Sequence, residues 1–255
     1  MNEAPITEAA STGAPRDPLA GTFGRHAVAP DRRRELVRRT FSVVAPRYDL
    51  MNDLMSLGIH RAWKARFVAR AAVRPGERVL DLAGGTGDVA FRLAALGARV
   101  TVADPSVEMM TAGRVRRGGD TVAWVEAEAE ALPFADAAFD VVTIAFGIRN
   151  VTRMDAALAE IRRVLVPGGR LLCLEFSTPR PWLAPAYRLW SRTAIPALGA
   201  IVSGRVEAYR YLIESIARFP DQAEFAEMIR AAGFGGVGHE DLSFGIAAIH
   251  RGVRV

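Results

Sequence analysis

Short apolar runs alternate with amphipathic segments through the middle of the chain. Runs of β-branched and aliphatic residues closed by Gly, Pro, Asn or Asp predict strands at residues 78–82, 99–104, 121–126, 139–146 and 170–176. Apolar residues at three- and four-residue spacing predict helices at residues 88–96, 106–117 and 154–165. Thr152 and Asp155 predict a capping box at the start of the last of these helices. Because strand, helix, strand repeats are joined by right-handed crossovers, the pattern predicts an α/β fold with a parallel, doubly wound sheet.

The end of the chain has a different pattern. Asp221 and Glu224 predict a second capping box, and Gly233 ends the helix that follows it. Strand-like runs at residues 237–240 and 242–250 then predict an antiparallel pair that closes the sheet.

The N-terminal part is expected to contain a tail and a helical cap. Residues 1–30 are rich in Ala, Pro, Thr and Gly and predict a disordered tail. Asp31 is expected to cap a helix with an apolar face formed by Leu36, Val37, Thr40, Phe41 and Val44. The same helix carries five arginines, Arg32, Arg33, Arg34, Arg38 and Arg39. They favour either contact with an anionic membrane surface or a solvated helix face, and the sequence leaves both open.

These patterns predict one domain over residues 31–255. Its parts are a helical cap at 31–72, a core at 73–176, a Pro- and aromatic-rich helical insertion at 177–220 and a closing helix and strand pair at 221–255.

Composition excludes several classes of protein. The chain of 255 residues is 50% hydrophobic and 24% charged, which excludes a fully disordered, collagenous or coiled-coil chain. Its single cysteine, Cys173, excludes a disulfide-stapled fold and a thiolate zinc cluster. The net charge of +5 permits anionic partners, but no nucleic-acid partner is predicted. No segment approaches the ~20 apolar residues of a membrane-spanning helix or forms a secretion signal, so a cytoplasmic protein is expected.

A glycine-rich loop directly follows the first core strand. It reads Asp81-Leu82-Ala83-Gly84-Gly85-Thr86-Gly87-Asp88. Because this loop lies at the carboxyl end of a strand, it is expected to border the ligand crevice of an open α/β sheet. Gly85, Gly87 and Ala90 also satisfy a dinucleotide-binding pattern, so the glycines alone do not separate NAD from another nucleoside cofactor.

Acidic residues around the loop favour a cationic cofactor without phosphates. Asp81 and Asp88 would repel a pyrophosphate, whereas S-adenosylmethionine (SAM) offers a sulfonium, an ammonium and a ribose diol. Asp104, at the end of the second strand, is expected to accept both ribose hydroxyls, and Glu128 is expected to reach the adenine edge. Loop hydrogen bonding for Asp81 and Asp88, and a solvated acidic edge for Glu128, are the alternatives.

The chain resembles the ubiquinone/menaquinone biosynthesis C-methyltransferase family, a branch of the class I SAM-dependent methyltransferases. The stretches that carry the resemblance are residues 48–61, 81–88, 129–134, 146–151, 167–170, 209–212, 215–216, 219–222 and 250–252. The glycine loop and the Pro-Gly-Gly turn are shared by many methyltransferases. The N-terminal stretch, Phe-Gly-Ile-Arg-Asn and the C-terminal His-Arg-Gly are specific.

The resemblance implies a Rossmann-like, seven-stranded and mostly parallel sheet with helices on both faces. It also implies SAM-dependent methylation of a ring carbon on a polyprenylated benzoquinol or naphthoquinol. The expected cofactor-binding residues are Asp81, Gly85, Thr86, Gly87, Asp104, Glu128, Ala129 and Ala145. The family often has Asn or Asp at the position of Glu128 and can have Ser at that of Ala145, so a hydroxyl contact is excluded at Ala145.

The chemistry needs alignment of the quinol and a base, and no metal. Arg149 and Asn150, after the fourth predicted strand, are favoured for orienting quinol oxygens. His60 is a candidate base, and Glu175 ends the fifth predicted strand on the ligand side. An aromatic-rich stretch at residues 182–202 is interpreted as a channel for the prenyl tail, an interfacial surface or core packing.

Three further questions stay open at this point. The alternative functions are a nicotinamide-dependent oxidoreductase, a methyltransferase for another lipid or small molecule, and a non-catalytic cofactor-binding scaffold in a lipid-biosynthesis assembly. Peripheral contact with the inner face of the membrane or with quinone-biosynthesis proteins is one expectation, and a homodimer is left open. The ring type, benzoquinol or naphthoquinol, is also open.

Overall fold

A computed structural model describes residues 17–24, 26–44, 53, 56, 58–116, 118–190, 193 and 206–255, with the backbone alone described at 42–44 and 206–210. The strands are β1 Thr22–Phe23, β2 His26–Ala27, β3 Arg78–Leu82, β4 Arg99–Asp104, β5 Ala123–Glu126, β6 Phe139–Ala145, β7 Leu165–Phe176, β8 Phe234–Leu242 and β9 Ala247–Arg254. The helices are α1 Pro30–Val44, α2 His60–Ala71, α3 Asp88–Ala94, α4 Val107–Arg114, α5 Met154–Val164, α6 Val206–Arg218 and α7 Gln222–Ala231.

Seven of these strands form one sheet in the order β5-β4-β3-β6-β7-β9-β8. β5, β4, β3, β6 and β7 are parallel, whereas β9 runs antiparallel between β7 and β8. The order reverses between β4 and β6, on either side of β3, which places the ligand crevice at the carboxyl end of β3. The predicted α/β, Rossmann-like fold with a seven-stranded, mostly parallel sheet is confirmed.

Two hydrophobic clusters cover the two faces of the sheet. Helices α2 and α3 contribute Trp63, Phe67 and Leu93 to one cluster. Helices α5 and α7 contribute Ile161 and Phe225 to the other. Because both faces are covered, the central strands are rich in buried apolar residues, as is typical of parallel strands.

The structure corrects the predicted start of order. Residues 17–24 pack on the core, and β1 pairs with β2 in a short antiparallel ribbon. Asp17 accepts hydrogen bonds from the backbone N–H of Leu19 at 2.9 Å and of Met154 at 3.0 Å, and Leu19 is buried in the α5 cluster. The prediction that order begins at Asp31 was wrong, because these two side chains find partners far along the chain.

Helix α5 begins without the capping box predicted from Thr152 and Asp155. Its N-cap residue is Arg153, whose side chain makes no capping bond. Instead, Glu130 accepts the backbone N–H groups of Thr152 at 2.6 Å and Arg153 at 3.1 Å, while Asp17 accepts that of the next residue. Carboxylates distant in sequence therefore satisfy the exposed amides of this helix start.

Other predicted boundaries hold in part, and β9 begins at Ala247, five residues later than predicted. The capping box of Asp221 and Glu224 is confirmed at the start of α7. β7 begins at Leu165, earlier than predicted, because Leu165 pairs with β6 before a bulge shifts the register to Arg170. β8 begins directly after Gly233, and a tight turn joins it to β9.

The predicted insertion is described in part. Residues 184–190 and α6 are helical, and most of the stretch between them lies outside the described residues. In the ranges given above, no helix is both long and apolar enough to cross a membrane.

Candidate cofactor and substrate site

A cavity of about 1070 Å³, counting its open mouth, lies at the carboxyl ends of β3, β4 and β6. The glycine loop forms its floor, and residues after β5 and β6 form one wall. Helix α1 also lines the cavity, through Arg34, Val37, Arg38 and Phe41. The cavity therefore lies where the strand order predicts a ligand crevice.

The glycine loop packs closely under this cavity. A Cβ atom on Gly84 would lie 2.8 Å from Asp81 Oδ2, and Gly85 has a φ of +56°, in the left-handed region. Gly84 and Gly85 therefore let the backbone turn tightly beneath a ligand. A Cβ atom on Gly87 would lie 2.8 Å from Phe91, so this glycine serves helix packing, and it does not line the cavity.

Asp104, at the end of β4, is hydrogen-bonded to the glycine loop. Its Oδ2 accepts the N–H of Gly85 at 2.9 Å, and its Oδ1 accepts the N–H of Ser106 at 2.8 Å. Burial, with a smaller contribution from the charge of Glu128, raises the pKa of Asp104 to about 6 against the effect of these two bonds. Each oxygen keeps a lone pair for a ligand hydroxyl, since a carboxylate accepts about four bonds.

One carboxylate oxygen of Asp81, beneath the glycine loop, lacks a hydrogen-bond partner among the described residues. Its Oδ1 accepts the hydroxyl of Thr143 at 2.7 Å, whereas its buried Oδ2 has no partner among the described residues. Burial raises the pKa of Asp81 to about 7. A buried acceptor without a partner is costly, so a cationic donor in the cavity would be bound favourably here.

Glu128, the predicted adenine contact, is hydrogen-bonded to helix α1. Glu128 accepts a hydrogen bond from Arg38 at 2.7 Å, which connects α1 to the end of β5. Ala129 and Ala145 also line the cavity. Thr86 lines it as well, and its hydroxyl accepts a bond from Arg116 at 2.9 Å.

Lys64 and Asp88 form an ion pair at the edge of the cavity. The Lys64 Nζ lies 2.9 Å from Asp88 Oδ2, and both residues line the cavity. Burial alone would raise the pKa of Asp88, but the charges and hydrogen bonds of Lys64 and Arg92 outweigh it and lower the pKa.

The structure does not bring His60 into the cavity lining. His60 is buried one turn before Lys64, and its Nδ1 lies 2.8 Å from Ser56 Oγ. Burial, and then the charge of Lys64, lower its pKa. His60 therefore lies outside the cavity lining.

Arg149 and Glu175 form a buried ion pair beyond Phe146, and, like His60, neither of them is part of the cavity lining. Arg149 Nη1 lies 2.5 Å from Glu175 Oε1, and their side chains are 3% and 1% exposed. Arg149 also donates to the carbonyl of Phe146 at 2.8 Å. Burial raises the pKa of Glu175, and Arg149 opposes that shift. Arg149 Nε and Glu175 Oε2 are buried without partners among the described residues.

Asn150 directly follows Arg149 in the chain and lines the cavity. Its Oδ1 accepts the hydroxyl of Tyr211 at 3.0 Å. Arg33 is buried below and donates to the carbonyls of Arg149, Asn150 and Val151, so neither proposed surface role of the basic helix applies to Arg33. Helix α1 therefore fixes the loop that carries Arg149 and Asn150.

The ubiE/COQ5 methyltransferase family model matches residues 28–254 of the chain. The chain belongs to this family. A curated ubiquinone/menaquinone biosynthesis C-methyltransferase UbiE of Rubrivivax gelatinosus is 60% identical over 93% of this chain and 94% of its own length. The UbiE protein of Paracoccus denitrificans is 53% identical over 93% of this chain and 98% of its own. The chain is accordingly a SAM-dependent C-methyltransferase.

Solved structures support the same fold. A methyltransferase crystallised with the Trm112 methyltransferase activator of Haloferax volcanii superposes with a TM-score of 0.65. The match has 21% sequence identity and covers 86% of this chain and 97% of that chain.

The described residues fit SAM. The carboxylates of Asp81 and Asp104 offer acceptors for an ammonium and for hydroxyls. In the same ranges, no group of three or more His, Cys, Asp and Glu side chains could hold a metal ion, and a metal-free reaction stays a prediction.

Sequence reasoning missed two cavity residues of this family member, Lys64 and Arg38. Lys64 had a signal, since it is the sole lysine of the chain. Arg38 had none, because its partner Glu128 lies on a distant loop.

Proposed function

We propose that this C-methyltransferase methylates a ring carbon of a polyprenylated quinol in respiratory quinone biosynthesis. The substrates would be demethylmenaquinol, 2-polyprenyl-6-methoxy-1,4-benzoquinol, or both. The observation that carries the proposal is the buried Arg149–Glu175 pair, which lies next to the cavity and contains two polar atoms without partners among the described residues. The names of the UbiE relatives support the quinone pathway.

Cofactor binding is assigned to the cavity residues. When bound, SAM supplies an electrophilic methyl group. Asp104 would accept the ribose hydroxyls, Asp81 the ammonium, and Glu128 with Ala129 would contact the adenine. Gly85, Thr86 and Ala145 would contribute backbone and surface contacts, while Gly87 would support them through helix packing.

Arg149, Asn150 and Glu175 are assigned to the quinol. The Arg149 guanidinium would hold the oxygen of the ring hydroxyl, and the free Glu175 oxygen would take its proton. Loss of this proton would raise the electron density at the adjacent ring carbon, which would then bond to the methyl group as the methyl–sulfur bond of SAM breaks and S-adenosylhomocysteine is left. The ring C–H proton would then pass to solvent, and Glu175 would return its proton to the ring oxygen, so that the aromatic quinol is restored. Asn150, held by Tyr211, would orient the ring, and His60 would serve only to position α2.

Peripheral membrane contact is part of the proposal, with the protein on the cytoplasmic side. Trp182 and Phe244 are 64% and 56% exposed, and their rings lie 5.1 Å apart. Phe244 has a φ of +59° in the turn before β9, whose start pairs with the carboxyl end of β7. An exposed aromatic pair at the substrate edge of the sheet fits insertion between lipid headgroups.

Replacement of both aromatic residues should weaken membrane binding. We expect Trp182→Ala/Phe244→Ala to bind anionic vesicles at least about tenfold more weakly in a sedimentation assay, because two interfacial anchors are lost. Leu96→Ala, at an exposed site on the opposite edge of the fold, serves as the control. Equal vesicle binding by all three proteins would remove this part of the proposal.

An anaerobic assay tests the activity itself. Purified protein, labelled SAM and either demethylmenaquinol or the methoxy-benzoquinol are incubated, and label is measured in the extracted lipid. Label in one or both quinols is expected, and the comparison sets the ring specificity. Intact SAM binding without label in either lipid would favour another acceptor or the scaffold.

A further inference from the structure

Ser177 carries a buried hydroxyl group without a hydrogen-bond partner among the described residues. The residue directly follows β7 and is 7% exposed. No other buried side-chain hydroxyl in the described ranges lacks a partner. A buried hydroxyl without a partner costs free energy, and native proteins contain few such groups. The hydroxyl of Ser177 is therefore a candidate contact for a ligand.

Two more polar atoms without partners lie at the same strand end. Arg149 Nε and Glu175 Oε2 are also buried and unpartnered in the described part of the chain. The backbone N–H of Ser177 donates to the carbonyl of Ile246 at 3.0 Å, so the pairing of β7 with β9 continues past Phe176. Because alternate residues of a strand lie on the same face of a sheet, Glu175 and Ser177 share one face.

The end of β7 borders the cavity. The guanidinium of Arg149 lies 5.5 Å from the centroid of the Phe176 ring, and that ring lies 4.8 Å from the ring of Phe146. Phe146 lines the cavity, whereas Ser177 does not. In the sheet, β6 separates β7 from β3, which leads into the glycine loop. The three unpartnered atoms therefore belong to a different part of the site from the glycine loop.

The spacing along β7 suits a ring with two opposite hydroxyls. The Cα atoms of residues i and i+2 of a strand lie about 7 Å apart. The two oxygens of a 1,4-quinol lie across one aromatic ring from each other, and both candidate quinols carry this pair. A ring whose reacting hydroxyl lies at Arg149 and Glu175 can therefore place its second hydroxyl near Ser177. A serine hydroxyl can donate to that oxygen or accept its proton in a hydrogen bond.

We propose that Ser177 binds the second hydroxyl of the quinol, the one across the ring from the hydroxyl at Arg149 and Glu175. The inference rests on the proposed methylation of a quinol. A ring held at one hydroxyl alone can rotate about that attachment. Two attachments fix its direction, so that the same ring carbon always faces the methyl group. Ser177 is thereby a specificity residue for rings with two opposite hydroxyls.

Two substrates with the same short prenyl tail test this contact. One is the quinol that the protein methylates, and the other is its analogue without the hydroxyl across the ring from the reacting one. We expect Ser177→Ala to reduce the ratio of their kcat/KM values, quinol over analogue, about three- to tenfold, because one neutral hydrogen bond is lost. The intrinsic reactivity of each substrate is the same with both proteins and cancels. If the analogue is not methylated, its inhibition constant replaces its kcat/KM.

Ser215→Ala is the matched control. Ser215 is also buried, but its hydroxyl donates to the carbonyl of Leu212 at 2.9 Å within α6, so its removal should leave the ratio at the native value. If Ser177→Ala slows both substrates by the same factor, Ser177 has a structural role and the inference is wrong. If the native protein methylates neither candidate quinol, the proposed function fails as well.

Stability gives a second readout that needs no substrate. Because the Ser177 hydroxyl has no partner among the described residues, Ser177→Ala should unfold at a denaturant concentration equal to or above that of the native protein. Ser215→Ala loses a hydrogen bond and should unfold at a lower concentration. A clear decrease in the midpoint for Ser177→Ala would show that its hydroxyl already serves the fold, which contradicts the inference.

Discussion

Asp104→Ala is expected to weaken SAM binding at least about tenfold, or about 1.4 kcal/mol. The carboxylate both fixes the loop through Gly85 and Ser106 and offers acceptors to the ribose, so its removal costs preorganisation as well as contacts. Calorimetric titration with SAM measures the loss. Asp120→Ala, in an exposed turn, is the matched control and should bind as the native protein does. Unchanged affinity in Asp104→Ala would remove Asp104 from the cofactor site.

The pH dependence of the same titration gives a separate readout. The pKa of Asp104 is about 6 in the free protein, raised by burial, and an ionised carboxylate is the better acceptor for two hydroxyls. SAM affinity should therefore rise as pH increases through 6, with a second rise near 7 from Asp81. Asp104→Ala should lose the lower step and keep the upper one. Stability of the free protein changes in the opposite direction: for an acid with a raised pKa, the contribution is present below its unfolded pKa and is lost as pH rises through 6.

Those parts of the site that lie on the regular βα pattern were predictable from sequence. Asp81 lies one residue before the end of β3, and Asp104 ends β4. Because the alternation of strands and helices predicts a parallel sheet, both carboxylates were expected at one edge of it. The glycines between Asp81 and Asp88 then fix the shape of the loop. Local pattern and topology are enough when a residue's position follows from the end of a strand.

Contacts between distant segments were not predictable in this way. Asp17 was assigned to a tail because no periodic pattern surrounds it, yet it serves the start of α5. Arg33 and Arg38 belong to one basic helix, but one is buried under backbone carbonyls and the other pairs with Glu128. The positions of the arginines in the sequence give their charge and their helical spacing. Neither property shows which arginine is buried against a carbonyl or carboxylate from a distant part of the chain.

Family resemblance selected Arg149 but not its partner. The specific motif pointed to Arg149 and Asn150, whereas Glu175 drew attention only through its strand end. Their pairing at 2.5 Å depends on β6 and β7 being neighbours, which the sheet order supplies. His60, from an equally specific stretch, does not line the cavity, and its role in the site stays a prediction.

The Arg149–Glu175 pair leads to the second large expected effect. We expect Glu175→Gln to lower kcat about 10²-fold while SAM affinity stays within about twofold, because the amide keeps the shape but takes no proton. In the native protein, kcat should also rise with pH above the ordinary range of a glutamate, since burial raises the pKa of Glu175. That rise should be absent in Glu175→Gln. A native pH profile in the variant would show that another group takes the proton.

Replacement of the partner should instead affect stability. Arg149→Met leaves the Glu175 carboxylate buried without a cation, and loss of one member of a buried pair costs about 3–5 kcal/mol of unfolding free energy. Adding Glu175→Gln to Arg149→Met should recover a large part of that loss, because an uncharged side chain no longer needs the guanidinium. Denaturant unfolding of the single and double variants measures both effects. If the double variant recovers stability but not kcat, the pair is not required for folding, and its two charges at the end of β7 act in the reaction.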